Sequence, residues 1–164
     1  MSKTCKTKTS CGAEADARLT LQQEFLFNIK DEMLPLLQKD WEEVGDPTLP
    51  LDPDIDAYLN LESNGVIKTF TARVGEKLVG YFVVICSPSL QSRKAKVATN
   101  DVIFVDKDYR KRLVGPRLFK FVEKCLKEDG YDRLYVATTE KHKIDDGLNR
   151  MGYRKIETRF EKVL

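Results

Sequence analysis

The chain has 164 residues, 41% of them hydrophobic, and a formal net charge of +2. That length suits one domain with a core of its own, and so small a net charge gives no general pull toward nucleic acid or acidic membranes. No apolar run is long enough for a transmembrane helix, the N-terminus lacks the apolar stretch of a signal peptide, and cytoplasmic placement is expected.

Residues 1–18 are rich in Ser, Thr, Lys and Ala without periodic apolar positions, and a disordered tail is expected there. The domain is expected over residues 19–164. A first strand fits within 19–27. Ile29, Met33, Leu36, Leu37, Trp41 and Val44 follow at helical spacing, with Pro35 predicted to kink or split the helix. The proline-rich stretch GDPTLPLDP reads as a loop. Asp52 and Pro53 look like the N-cap and first turn of a second helix, which runs to about residue 61 and ends at Ser63-Asn64-Gly65.

The pattern then turns to β. Residues 66–74 and 77–86 are strand-like and flank Gly75-Glu76, a tight hairpin signal. A third strand fits residues 96–105. After a short loop, Val114, Leu118, Phe121, Val122 and Cys125 mark one face of a helix over residues 114–127. A strand over 131–138, a short helix over 144–151 and a final strand over 153–163 complete the order. The fold class is therefore α/β: one domain, with a mixed, mostly antiparallel sheet flanked by helices.

Four cysteines, Cys5, Cys11, Cys86 and Cys125, have no zinc-like spacing, and His142 is the only histidine, so no metal is expected. Cys86 and Cys125 read as core residues, and a reduced interior suits them. The informative stretch is residues 101–126, DVIFVDKDYRKRLVGPRLFKFVEKCL. Arg110, Lys111, Arg112 and Arg117 gather where a helix begins. Free N–H groups and the macrodipole already make that end positive, so Asp and Glu are favoured there. Four cations at such an end point to a bound anion, a phosphate above all.

The order of elements and the stretch from Arg110 to Gly115 resemble the GNAT-type N-acetyltransferase superfamily, whose signature is R/Q-x-x-G-x-G/A between a strand and a helix. Arg110 and Gly115 match. Leu113 stands where the pattern has its first glycine. GLNRMGY at 147–153 is similar to a segment near the end of many members, with Leu148 where tyrosine is frequent. The PLDPDIDAYLNLE and VGYFVV stretches resemble small acetyltransferases of tailed phages.

The resemblance implies the acyl-CoA N-acyltransferase fold and acetyl-CoA as cosubstrate. It implies a pantetheine arm lying along Ile103, Phe104 and Val105, where two strands splay at a bulge. It also implies a pyrophosphate on the N–H groups of Arg110, Lys111, Arg112, Leu113, Val114 and Gly115. Pro116 fits the first helical turn because it has no N–H to offer, and Arg117 or Lys120 would meet the 3′-phosphate. Leu113, which lacks the freedom of glycine, is expected to avoid positive φ.

Asp101, at the start of an apolar strand, is the candidate base, with partial burial expected. The alternative is a plain strand-capping role. Tyr153 is the candidate acid for the leaving thiolate, with Tyr135, His142 or water as alternatives. The acidic loop with Asp46, Asp52, Asp54 and Asp56 favours a cationic acceptor. Nucleic acid is not an expected partner, and the resemblance implies a homodimer through the last strands. A member of the fold that binds CoA or a host protein without chemistry is the alternative reading.

Overall fold

The computed structural model describes residues 6–7, 18–141 and 144–163. Cys5, Cys11 and His142, and most of the expected tail, lie outside the described residues. Six strands form one sheet in chain order, β1 to β6. They are β1 (Lys6–Thr7), β2 (Leu19–Gln23), β3 (Ile67–Val74), β4 (Lys77–Pro88), β5 (Lys96–Val105) and β6 (Arg133–Tyr135). All neighbours are antiparallel except β5 and β6, which are parallel. The parallel pair is possible because a helix carries the chain back across the sheet.

On one face lie α1 (Leu26–Val44) and α2 (Ile55–Ser63). Their core joins Leu26, Ile29, Met33 and Leu36 to Tyr81, Val83 and Phe104 of the sheet. On the other face lies α4 (Val114–Glu128), whose Leu118, Phe121, Val122 and Cys125 pack on Phe70, Phe82 and Val84. Period-2 alternation along β4 supplies both layers: Tyr81 and Val83 go to one, Phe82 and Val84 to the other.

Several expectations are corrected. Pro35 does not split α1, which runs on through it, and it lies on the exposed side of the helix. The N-cap of α2 is Asp54, not Asp52: its carboxylate accepts the Ala57 N–H at 2.9 Å. The strand expected over 131–138 shrinks to Arg133–Tyr135. The loop before α4 contains a single helical turn, α3 (Lys107–Arg110), capped by Asp106. A short α5 (Asp145–Arg150) follows β6.

The final strand expected over 153–163 is absent, and that stretch is irregular and mostly exposed. Charged residues at 154, 155, 157, 159, 161 and 162 leave it no continuous apolar face, and β6 offers only three residues to pair with. Among the described residues, no helix is long and apolar enough to cross a membrane.

Candidate active site

The site is built at the β5 edge. Val83 pairs with Val102 and Val84 with Asn100, so Asp101 is the extra residue of a β-bulge. A bulge bends its strand and re-aims its side chain. Asp101 is turned to the α1–α2 face, where its Oδ2 accepts the Tyr58 hydroxyl at 2.5 Å. Contrary to the sequence expectation, Asp101 is exposed rather than partly buried. Burial, and then the carboxylate of Asp101, push the Tyr58 pKa up, so this phenol stays protonated and donates.

At the same point β5 and β6 part. They pair only over Val97–Thr99 and Arg133–Tyr135. Asn100 closes the paired stretch with its side chain, its Oδ1 accepting the Ala137 N–H at 2.6 Å. From Asp101 onward the β6 side of β5 carries no ladder among the described residues. Asp106 gives its N–H to the Val79 carbonyl at 2.9 Å. Alternation along the strand then turns the backbone groups of Ile103 and Val105 toward the open edge and those of Phe104 toward β4. Of the three strand residues expected to meet a ligand, Ile103 and Val105 turn their backbone groups to this edge, where the Val105 carbonyl already accepts the Arg110 Nε–H at 2.8 Å. Phe104 is instead a core residue, its ring 6.1 Å from that of Tyr81.

The open edge runs into the α3–α4 turn. Leu113 adopts φ 57°, ψ 25°, the left-handed conformation that it was expected to avoid. It is the only non-glycine residue with positive φ among the described residues. Its side chain is 61% exposed, so no packing of that side chain compensates. The cost is about 1–2 kcal/mol for an L residue with a Cβ. The turn thus keeps the shape a glycine would give it. Among the described residues, the N–H groups of Leu113, Val114 and Gly115 have no backbone acceptor.

A Cβ built on Gly115 meets nothing within 4 Å, so the protein's own packing does not require glycine there. A small residue beside free N–H groups leaves room for a ligand to reach the main chain. Pro116 sits in the first turn of α4, where its missing N–H is no loss.

The four cations divide. Arg110 is committed: its Nε donates to the Val105 carbonyl at 2.8 Å, and its Nη2 donates to both Glu43 oxygens at 2.9 Å. Its side chain ties α1 to β5. Lys111 and Arg117 are exposed, and the Arg112 guanidinium lies 5.9 Å from the Tyr109 ring centre. Lys111 and Arg117 remain at the turn as exposed cations.

Tyr153 lies on the other face of the sheet. Its hydroxyl donates to Glu123 Oε1 at 2.7 Å and its ring meets Phe119 edge-on at 6.1 Å. Burial first, and then Glu123, push its pKa up. The structure therefore does not bring Tyr153 together with Asp101. Tyr153 and Tyr135, the latter 38% exposed, both line a cavity of about 390 Å³ between β6, α5 and the last residues. Leu148 is buried beside them as a core residue.

Sequence reasoning missed Tyr58, the partner of Asp101. Tyr58 follows Asp101 only through a contact spanning 43 positions, which no local pattern reveals. Burial, with Glu43 adding to it and Arg110 opposing, pushes Asp40 up to about 6. The acidic loop has its own tasks: Asp46 accepts from Thr48 and Asp54 caps α2.

Residues 30–153 match the acetyltransferase (GNAT) family. The chain belongs to the GNAT family. Its members are acetyl-CoA-dependent N-acetyltransferases, and this chain is one of them. No curated protein sequence matches the chain.

The GNAT fold recurs in solved structures. One is an aminoglycoside acetyltransferase from an uncultured soil metagenomic sample in complex with sisomicin. It has a TM-score of 0.70 at 16% identity, covering 89% of this chain and 96% of that one. Another is the ribosomal-protein-alanine N-acetyltransferase from Brucella melitensis biovar Abortus 2308, with a TM-score of 0.67 at 17% identity, covering 88% and 99%. A third is AAC(6')-Iy in complex with the bisubstrate analogue CoA-S-monomethyl-acetylneamine, with a TM-score of 0.66 at 17% identity, covering 90% and 98%. At these identities the likeness speaks for the fold alone.

Proposed function

We propose that this GNAT protein transfers the acetyl group of acetyl-CoA directly to an amine, either a protein lysine or N-terminus or a small cationic amine. One observation carries the reading: the unpaired edge of β5 starts at the carboxylate of Asp101 and ends at the free N–H groups of Leu113, Val114 and Gly115. A long cosubstrate with a reactive thioester at one end and a pyrophosphate at the other fits that line. Ile103 and Val105 would pair with its amide-bearing arm as an added strand does. Lys111, Arg112 and Arg117 would stand near its phosphates.

Asp101 takes the proton of the acceptor amine, held in position by Tyr58. The nitrogen attacks the thioester carbonyl, the N–C bond forms and the C–S bond breaks. The departing thiolate needs little help, because thiols ionise close to neutral pH. Tyr153, held by Glu123 on the other face, is not required in this scheme. The buried Cys86 and Cys125, neither of them in a disulfide, support residence in the reducing cytoplasm. The exposed Ile156, Phe160 and Val163 support a homodimer that uses the last segment.

Calorimetric titration with acetyl-CoA, followed by mass spectrometry of amines incubated with both, tests the transfer. Binding with acetylated product supports it, and binding without acetylated product, or no binding by the folded protein, refutes it.

A further inference from the structure

β6 stops at Tyr135, although nothing in its own sequence ends it there. Val136, Ala137 and Thr138 follow, with neither glycine nor proline among them, and Val and Thr are favoured in strands. β5 itself runs on to Val105, paired with β4. Both strands could extend the parallel ladder, so the break is imposed from outside β6.

The group that stands between them is the Asn100 side chain. Its Oδ1 accepts the Ala137 N–H at 2.6 Å, and its Nδ2 donates to the Ala137 carbonyl at 3.4 Å. The register that sets Thr99 against Tyr135 would, if continued, set Asp101 against Ala137. Both main-chain groups of Ala137 are instead taken by a side chain. A carboxamide carries a donor and an acceptor in one plane, so it can stand in for a peptide group. It satisfies β6 from a side chain's length away, where a ladder would bring the strands to roughly 4.8 Å.

The bulge makes this possible. Asn100 still pairs with Val84, and Asp101 is the residue left out of the β4 ladder. A bulge re-aims the side chains around it. Here it turns Asn100 sideways to β6 and Asp101 to Tyr58.

We infer that Asn100 is a positioning residue: its side chain is the wedge that ends the β5–β6 ladder and opens, beside Asp101, the gap that the thioester end of acetyl-CoA enters. This rests on the reading that the unpaired edge of β5 receives the cosubstrate.

Asn100→Val removes both bonds and leaves Ala137 to turn to the β5 main chain. Asn100→Asp keeps the acceptor for the Ala137 N–H. Amide hydrogen exchange, urea unfolding and calorimetric titration with acetyl-CoA would be measured on both variants of the full chain. Asn100→Val should slow exchange in the peptides spanning 101–105 and 136–138 and keep or raise stability. It should weaken acetyl-CoA binding at least about tenfold, the scale of one or two lost main-chain hydrogen bonds. Asn100→Asp should stay within about threefold of the wild type, because the longer bond is the weaker one. A cross-link without a positioning role gives the opposite pattern. An Asn100→Val chain that is destabilised or unfolded, or that exchanges and binds acetyl-CoA as the wild type does, would overturn the inference. So would an Asn100→Asp chain that loses as much affinity as Asn100→Val. Slowed exchange in Asn100→Val, with no acetyl-CoA binding by the wild-type chain, would keep the wedge and overturn the cosubstrate reading.

Discussion

The Tyr58 hydroxyl donates to Asp101 Oδ2 at 2.5 Å, fastening α2 to the extra residue of the β5 bulge. The carboxylate is thereby held at the mouth of the gap between β5 and β6. Asp101→Asn is expected to lower kcat by about 10²–10⁴-fold, the usual range for a lost general base. Acetyl-CoA affinity should hold, since the proposed cofactor contacts lie further along β5 and in the α3–α4 turn. Tyr58→Phe leaves the carboxylate but frees it, and a smaller loss of roughly tenfold is expected for a misplaced group. Steady-state kinetics beside calorimetric binding would check both.

Gly115 is a glycine that the protein's own packing does not demand. Gly115→Ala is expected to keep or raise stability, by up to about 1 kcal/mol, because alanine is the better helix former. Acetyl-CoA binding should weaken in the same variant. Urea unfolding and calorimetry on one preparation would show the two effects moving in opposite directions.

Leu113 is held at positive φ with its side chain in solvent. Leu113→Gly should stabilise the fold by about 0.5–1 kcal/mol, the relief of the left-handed conformation less the greater freedom of glycine in the unfolded chain. Acetyl-CoA affinity should be equal or better, because the turn keeps its shape. A destabilised variant would contradict the strain at this turn.

Arg110 braces Glu43 and the Val105 carbonyl. Arg110→Ala should therefore cost stability, about 1–2 kcal/mol for a partly exposed pair with directed hydrogen bonds. A double-mutant cycle with Glu43→Gln, read by denaturant unfolding, would isolate the pair.

Burial holds the Asp40 carboxyl at about 6, above its value in an unfolded chain. The folded state binds the extra proton between about pH 4 and 6, so this residue costs stability as the pH rises through that window. Asp40→Asn should stabilise the protein at pH 7.5 by about 1 kcal/mol, after allowing for solvent screening of a half-buried group. The gain should vanish at pH 4. Thermal unfolding at both pH values reads the difference.

Much of this architecture is legible in the chain itself, because local rules write it. Gly75 at φ 62° turns the β3–β4 hairpin, and the apolar stripe of α4 selects its buried face. What is not legible is set by tertiary contact. The Arg110 guanidinium reads as an unpaired cation until Glu43 is brought beside it from α1. Asp101 reads as half-buried until the bulge turns it to Tyr58. The last strand reads from alternation alone, yet residues 153–163 find no ladder on the short β6. Leu113 is the sharpest case: its side chain argues against positive φ, and the turn between α3 and α4 imposes it.

The central claim is amine acetylation at Asp101, and the direct measurement is product formation. The chain would be incubated with acetyl-CoA carrying an isotope-labelled acetyl group and a pool of amines, and the labelled products and released CoA would be quantified by mass spectrometry. Labelled acetyl-amine formed together with CoA, and lost in Asp101→Asn, is the predicted result. Undiminished product in Asp101→Asn, or no product from a folded chain that binds acetyl-CoA, would contradict it.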